Sequence, residues 1–195
     1  SPNRLRKGPQ ALILDPMLFR LLLAWCIGTT LMALPPAPPS AEEGRLQVHL
    51  GALTLAQALV SEEGWYPVPA SRLSEGPGPY WVRTWVRVPP RKAGDPTPVL
   101  ALSLLGSWEA WWDGRPLGAN GRGGASPSEE TPGILDAFLP LPPDQVTEGL
   151  HLLLLRVSSH HLGFRPRGSL HRLEVGEASA LAQGRLRSLT PALCT

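Results

Sequence analysis

The residue types best suited to chemistry in this chain are aromatic and basic, and they alternate. Tyr80–Val88 reads YWVRTWVRV, so Trp81, Arg83, Trp85 and Arg87 fall at every second position. A pleated strand turns successive side chains to opposite faces. Those four therefore share one face, and Tyr80, Val82, Thr84, Val86 and Val88 share the other, which is the expected core face. The first face stacks indole against guanidinium, worth about 0.5–2 kcal/mol per contact. Indoles offer flat platforms to the apolar faces of sugars, and arginine can grip a carboxylate through two parallel bonds. Trp81, Arg83, Trp85, Arg87 and, from a later strand, Trp111 are the candidate ligand-binding residues. The competing reading is structural: aromatic rings dominate packing generally, and residue type alone favours a face packed in a core or under a loop.

Other constellations carry less. Glu62-Glu63 and Glu129-Glu130 are adjacent carboxylates in polar loops, read as solvated charges because neighbouring residues seldom aim at one substrate atom. His151, His160, His161 and His171 lack both a His-x₃-His spacing and a cysteine partner, so neither a metal nor a cofactor is expected. Gly121-Arg122-Gly123-Gly124 has no Lys-Ser/Thr to complete a phosphate loop and reads as a flexible connection. No Gly-x-Ser-x-Gly elbow occurs. The chain is therefore not expected to be an enzyme, and neither hydrolase nor kinase activity is expected of it. Cys26 and Cys194 stand at opposite ends in unlike contexts, and no disulfide is expected.

The 195 residues suffice for one domain of ordinary size with appendages, and 43% hydrophobic content allows a core. The 23 prolines and 20 glycines point to many short elements and turns. Net charge is +2, but residues 1–34 hold Arg4, Arg6, Lys7 and Arg20 against Asp15, so the remainder carries −1. That near-neutral body argues against a phosphate-tracking nucleic-acid surface.

Five segments must position these groups. Residues 1–16 form a basic N-terminus. Residues 17–34, MLFRLLLAWCIGTTLMAL, form an apolar segment read as a signal anchor or signal peptide, with the uncleaved anchor preferred because no good small-residue cleavage site follows. Basic residues before it and acidic residues after it place the rest of the chain outside the cytoplasm, tethered to the inner membrane. Residues 35–44 are a proline-rich spacer. Residues 45–176 offer seven strands: 45–50, 80–88, 99–105, the first limb of a hairpin at 108–118, 134–141, 150–157 and 169–175. No convincing helix separates them, beyond a turn or two at 53–60. Asp113-Gly114 suits a two-residue hairpin turn, since both central residues need φ > 0. Trp108, Ala110 and Trp112 then lie on one face and Glu109 and Trp111 on the other. The pattern is all-β, an antiparallel β-sandwich. Residues 177–195 read as a short helical connector towards a segment beyond this chain. With Ser rather than Met in first place, a fragment is expected.

The order of signals is similar to a known family. Tyr80-Trp81-Val82-Arg83 precedes the β-run Val99–Leu105, and an aromatic Asp-Gly hairpin closes with Leu117-Gly118. Phe138-Leu139-Pro140-Leu141 then precedes Glu148-Gly149-Leu150 and a strand ending in Arg156-Val157. Over about residues 45–176 this resembles the galactose-binding-like jelly roll at the front of β-galactosidase and β-glucuronidase relatives, where the hairpin usually carries Asn-Gly. The same jelly roll recurs as the extracytoplasmic sensor region of bacterial membrane-bound histidine kinases and diguanylate cyclases. The lone N-terminal apolar segment makes the sensor version look closer. The resemblance implies an extracytoplasmic domain that senses a ligand or partner, small-molecule or carbohydrate, for a signal transduction protein whose output module lies elsewhere. A homodimer through the parent protein is a further expectation. The alternative is a carbohydrate-binding or accessory module of a secreted glycoside hydrolase. A fold of this kind hosts many functions.

Overall fold

The computed structural model describes residues 44–74, 76–162 and 168–189, with side chains through 185. The expected basic N-terminus, the apolar segment 17–34, nearly all of the spacer 35–44, and both cysteines lie outside the described residues. Among the described residues no helix is long and apolar enough to cross a membrane.

Among the described residues, nine strands form two antiparallel sheets. The strands are β1 (Gln47–His49), β2 (Tyr66–Pro67), β3 (Tyr80–Val88), β4 (Val99–Leu104), β5 (Ser107–Trp112), β6 (Arg115–Asn120), β7 (Asp136–Pro140), β8 (Gly149–Ser158) and β9 (Leu170–Gly176). Two helices join them, α1 (Leu55–Val60) and α2 (Ala178–Leu189), with a 3₁₀ turn at Pro143–Gln145. The six-stranded sheet runs β2-β1-β3-β8-β5-β6, and the three-stranded sheet runs β7-β4-β9.

β8 is the spine of the larger sheet. It pairs with β3 from Tyr80↔Val157 to Val88↔Gly149, and with β5 from Ser107↔Ser158 to Trp112↔Leu153. Both faces of β8 are also covered, one by the smaller sheet and the other by residues 50–65, which explains its unbroken run Leu152-Leu153-Leu154-Leu155. Leu153 and Leu155 enter the main core with Tyr80, Val82, Trp108, Ala110 and Trp112, facing Leu100, Leu102 and Leu104 of β4. Leu152 and Leu154 point the other way, into a second cluster with Trp81 and Ala58. Each leucine fully removed from water contributes about 1.5–3 kcal/mol before entropy is counted.

The second cluster exists because residues 50–65 fold back over the outer face of the larger sheet. α1 starts with a capping box: Gln57 N–H donates to Thr54 Oγ1 at 3.3 Å, and Thr54 N–H to Gln57 Oε1 at 2.9 Å. Its apolar side, Leu55, Ala58 and Leu59, lies on the sheet. On the smaller sheet, Ala101 and Ser103 of β4 are buried on the side away from the core. There Arg172 donates to the carbonyl of Leu181 in α2, and Arg185 of α2 reaches Asp136 at 3.3 Å.

The hairpin matches its sequence signals. Asp113 has φ 48° and Gly114 φ 80°, the left-handed pair a two-residue turn requires. Trp108 and Trp112 are fully buried in the main core. A bulge at Ala110/Trp111 leaves Leu117 as the extra residue on β6. Two elements differ from the sequence expectation. Tyr66–Pro67 is a strand beyond the seven expected, and β6 runs past Gly118 to Asn120, which pairs with Trp108.

Candidate functional site

The aromatic–arginine face is largely covered, the arrangement that residue type favoured over an open platform. Trp81 and Arg83 are buried, Trp85 and Trp111 are half-buried, and Arg87 is exposed. The cover formed by residues 50–65 is the cause. Trp81 donates its indole N–H to the carbonyl of Leu53 at 3.1 Å, and its ring tilts against Trp111 at 5.3 Å.

Arg83, 5% exposed, ties the cover down. Its Nε donates to Gln47 Oε1 at 2.7 Å, one terminal nitrogen to the Ser61 carbonyl at 3.1 Å, and the other to Glu62 at 3.0 Å. The guanidinium stacks over Trp65, 4.4 Å from the ring centroid, rather than over its strand neighbours. Glu62 is thus half of an ion pair rather than only a solvated charge. Trp81 and Arg83 are thus engaged by other residues of the chain, and Trp111 packs half-buried against Trp81.

Trp85 and Arg87 remain. They line an open groove of about 380 Å³ together with Gly44, Pro89, Leu173, Glu174 and Val175. The groove follows from strand lengths. β1 spans three residues and covers only Trp81–Arg83 of β3, so among the described residues the second half of β3 has no strand beside it on that edge. The N–H of Gly44 bonds the Trp85 carbonyl at 3.0 Å. β9, an outer strand of the smaller sheet, supplies the opposite wall. The Trp85 indole N–H is buried without a protein partner among the described residues. Glu174 accepts from Arg172 at 2.8 Å and is itself well exposed. The groove thus offers an indole, a guanidinium and a carboxylate within one concavity.

At one end of the sandwich a second concavity of about 280 Å³ lies between the β4–β5, β6–β7 and β8–β9 connections. Its polar floor corrects the expectation for Glu129-Glu130. Glu129 is exposed and bonds Ala125 N–H, but Glu130 is buried and accepts the N–H groups of His160 and His161 at 3.0 and 3.3 Å. The expected flexible connection at Gly121–Gly124 is instead pinned. Arg122 and Thr131 exchange two backbone bonds of 2.9 Å, and Gly124 N–H reaches Ser158 Oγ. Burial pushes the nearby Tyr80 phenol far above its ordinary value, and the Glu130 charge acts in the same sense.

At the opposite end of β8 the structure joins residues that sequence reasoning kept apart. Asp113, read only as a turn residue, accepts the N–H of Leu152 at 2.9 Å and meets His151 Nδ1 at 2.6 Å. The imidazole stacks on Trp112 at 5.1 Å, and its Nε2 donates to the Thr147 carbonyl at 2.8 Å. Both ring nitrogens are occupied, so the pair acts as a latch between the hairpin and the 3₁₀ turn rather than as a base for a nucleophile. Arg115 fastens the same turn from outside; its guanidinium holds the Asp144 carboxyl below the usual range. No sequence signal links positions 38 residues apart.

The remaining histidines are dispersed. His160 Nε2 bonds the Gly124 carbonyl at 3.1 Å, His161 Nε2 bonds the Glu130 carbonyl at 3.0 Å, and His171 sits on β9. Among the described residues no three His, Cys, Asp or Glu side chains converge to hold a metal.

No protein-family model matches the chain, and no curated protein is significantly similar to it. Among solved structures, it is similar to a glycosyl hydrolase family 2 member from Bacteroides cellulosilyticus DSM 14838. The TM-score is 0.44 at 16% identity, over 68% of this chain and 20% of that one. A second structure of a family 2 member from Bacteroides cellulosilyticus gives 0.42 at 16% identity, over 70% and 20%. The chain spans about a fifth of the length of either.

Proposed function

We propose that residues 45–176 form a galactose-binding-like jelly roll that serves as a non-catalytic carbohydrate-binding module. One observation carries this reading: the candidate residues Trp85 and Arg87 line one open groove, with Glu174 opposite. An indole face suits the apolar side of a pyranose ring. A guanidinium donates to sugar hydroxyls, and a carboxylate accepts from them. Trp81, Arg83 and Trp111 support the scaffold. Affinity electrophoresis of the full chain in gels containing β-glucan, xylan, galactan or galactomannan tests the reading. At least one polysaccharide should retard the parent chain and not Trp85→Ala; equal mobility of both in every gel counts against it.

The sensor reading adds a membrane tether and a signalling output to the same module. Its support is the apolar segment 17–34, and it is tested separately. A reporter active only after export, fused behind Val175, should be on. A silent export reporter with an active cytoplasmic one reverses the topology.

A further inference from the structure

We propose that the concavity at the loop end of the sandwich is a second ligand site, and that it takes a small organic ammonium ion. The cation meets Glu130, and the hydrocarbon body meets Leu105, Ile134, Leu135 and Leu162.

Charge is the first argument. Glu130 is 6% exposed, and none of the ion pairs among the described residues includes it. Each carboxylate oxygen accepts one backbone N–H, from His160 or His161, which leaves a second acceptor position on each. The His161 ring does not supply the missing cation to the carboxylate. Its Nε2 donates to Glu130's own main-chain carbonyl. A buried carboxylate without a counter-charge favours a cationic partner over a neutral one and repels an anion.

Preorganisation is the second. Ile134 is 68% exposed at the rim, yet its backbone is fixed. The buried amide of Asn120 accepts from Ile134 N–H at 2.8 Å and donates to the Ile134 carbonyl. Glycine is required beside it, since a Cβ on Gly133 would meet that amide at 2.2–2.6 Å. Thr131 is held likewise, its carbonyl accepting from Ser107 Oγ at 2.8 Å. The loop spends a buried amide on holding an isoleucine outward at the mouth of a pocket floored by a carboxylate. Ile134 and Leu135 thus give an apolar rim to a concavity with few polar groups, the composition of a small-molecule pocket.

Isothermal titration of the full 195-residue chain with cyclohexylammonium, cyclohexanol and cyclohexanecarboxylate tests the proposal without a variant. The three probes share one body and differ in charge. The ammonium should bind at least tenfold more tightly than the alcohol, and the carboxylate should not bind. Equal affinity for ammonium and alcohol overturns the proposal. So does no binding at all, the result if a basic group of this chain already occupies the site. Glu130→Gln should weaken ammonium binding at least tenfold, and unchanged affinity overturns the assignment. Ile134→Lys, at an exposed position that leaves the fold intact, should abolish binding by placing a cation in the mouth. Retained binding by that variant again overturns it. Failure here leaves the Trp85 groove untouched, because the polysaccharide gels read a different surface.

Discussion

Arg83→Ala removes the side chain that fastens the cover of residues 50–65 to the larger sheet. Three hydrogen bonds and the stack on Trp65 are lost together. The Glu62 partner contributes least, because that carboxylate is 61% exposed and returns to water, so its pair is worth at most about 1 kcal/mol. The larger part comes from the Gln47 amide and the Ser61 carbonyl, since an acceptor left buried without a donor costs about 1–3 kcal/mol. The stack adds about 0.5–2 kcal/mol. Gln47 is half-buried and can turn partly to solvent, which holds the sum near the low end, at about 3 kcal/mol. Arg83→Lys keeps the charge but not the fork, and should cost roughly half of that. Glu62→Ala should cost less than about 1 kcal/mol. Urea unfolding of the three variants gives the order, and limited proteolysis shows where the loosening occurs: Arg83→Ala should open cleavage within residues 50–65 first. A denaturation midpoint for Arg83→Ala equal to the parent's, or equal costs for Arg83→Ala and Glu62→Ala, would refute the keystone role.

Three further outcomes follow from the packing. Trp112→Ala should cost about 3–5 kcal/mol, and Gly114→Val about 1–3 kcal/mol through a β-branched residue at positive φ; equal urea midpoints for Trp111→Ala and Trp112→Ala would show that the half-buried outer ring contributes as much packing as the inner one. Asp113→Asn keeps a carbonyl for Leu152 N–H but weakens the bond to His151, so the 3₁₀ turn should exchange its amide hydrogens faster while the β3–β8 ladder does not; a uniform increase would place the latch in the global fold. Tyr80 keeps its proton in the folded state beyond the point where the unfolded chain loses it. Stability is therefore full below about pH 10 and should fall above it by up to about 1.4 kcal/mol per pH unit. Tyr80→Phe should remove that slope, and a Phe variant with the same alkaline dependence sinks the assignment.

The parts legible in the sequence were those set by local periodicity and turn chemistry. The bounds of β3 could be read from strict alternation, the hairpin from Asp113-Gly114, and the buried character of β4 from its near-continuous apolar run. Membership of the outer face was also legible, and residue type favoured its burial, but the segment that covers it was not legible. Arg83 finds Glu62 and Ser61 21 and 22 residues away, just past a helix of six residues, and Gln47 36 residues away on a strand of three. Such elements leave no periodic trace. Glu130 and Asp113 looked like ordinary loop and turn carboxylates because burial there is imposed by chain segments about 30 and 38 residues on. The groove had a different origin: it depends on where β1 stops, and strand ends are weakly encoded.

The central claim is that Trp85 and Arg87 bind sugar while the other candidate residues hold the scaffold. Isothermal titration of the parent chain, Trp85→Ala, Arg87→Gln and Trp111→Ala with cellotetraose, xylotetraose and galactotetraose tests it most directly. At least one tetrasaccharide should bind the parent, with affinity reduced tenfold or more in Trp85→Ala and Arg87→Gln and kept within twofold in folded Trp111→Ala. Absence of heat with all three sugars, or losses in Trp111→Ala as large as those in Trp85→Ala, would contradict the account.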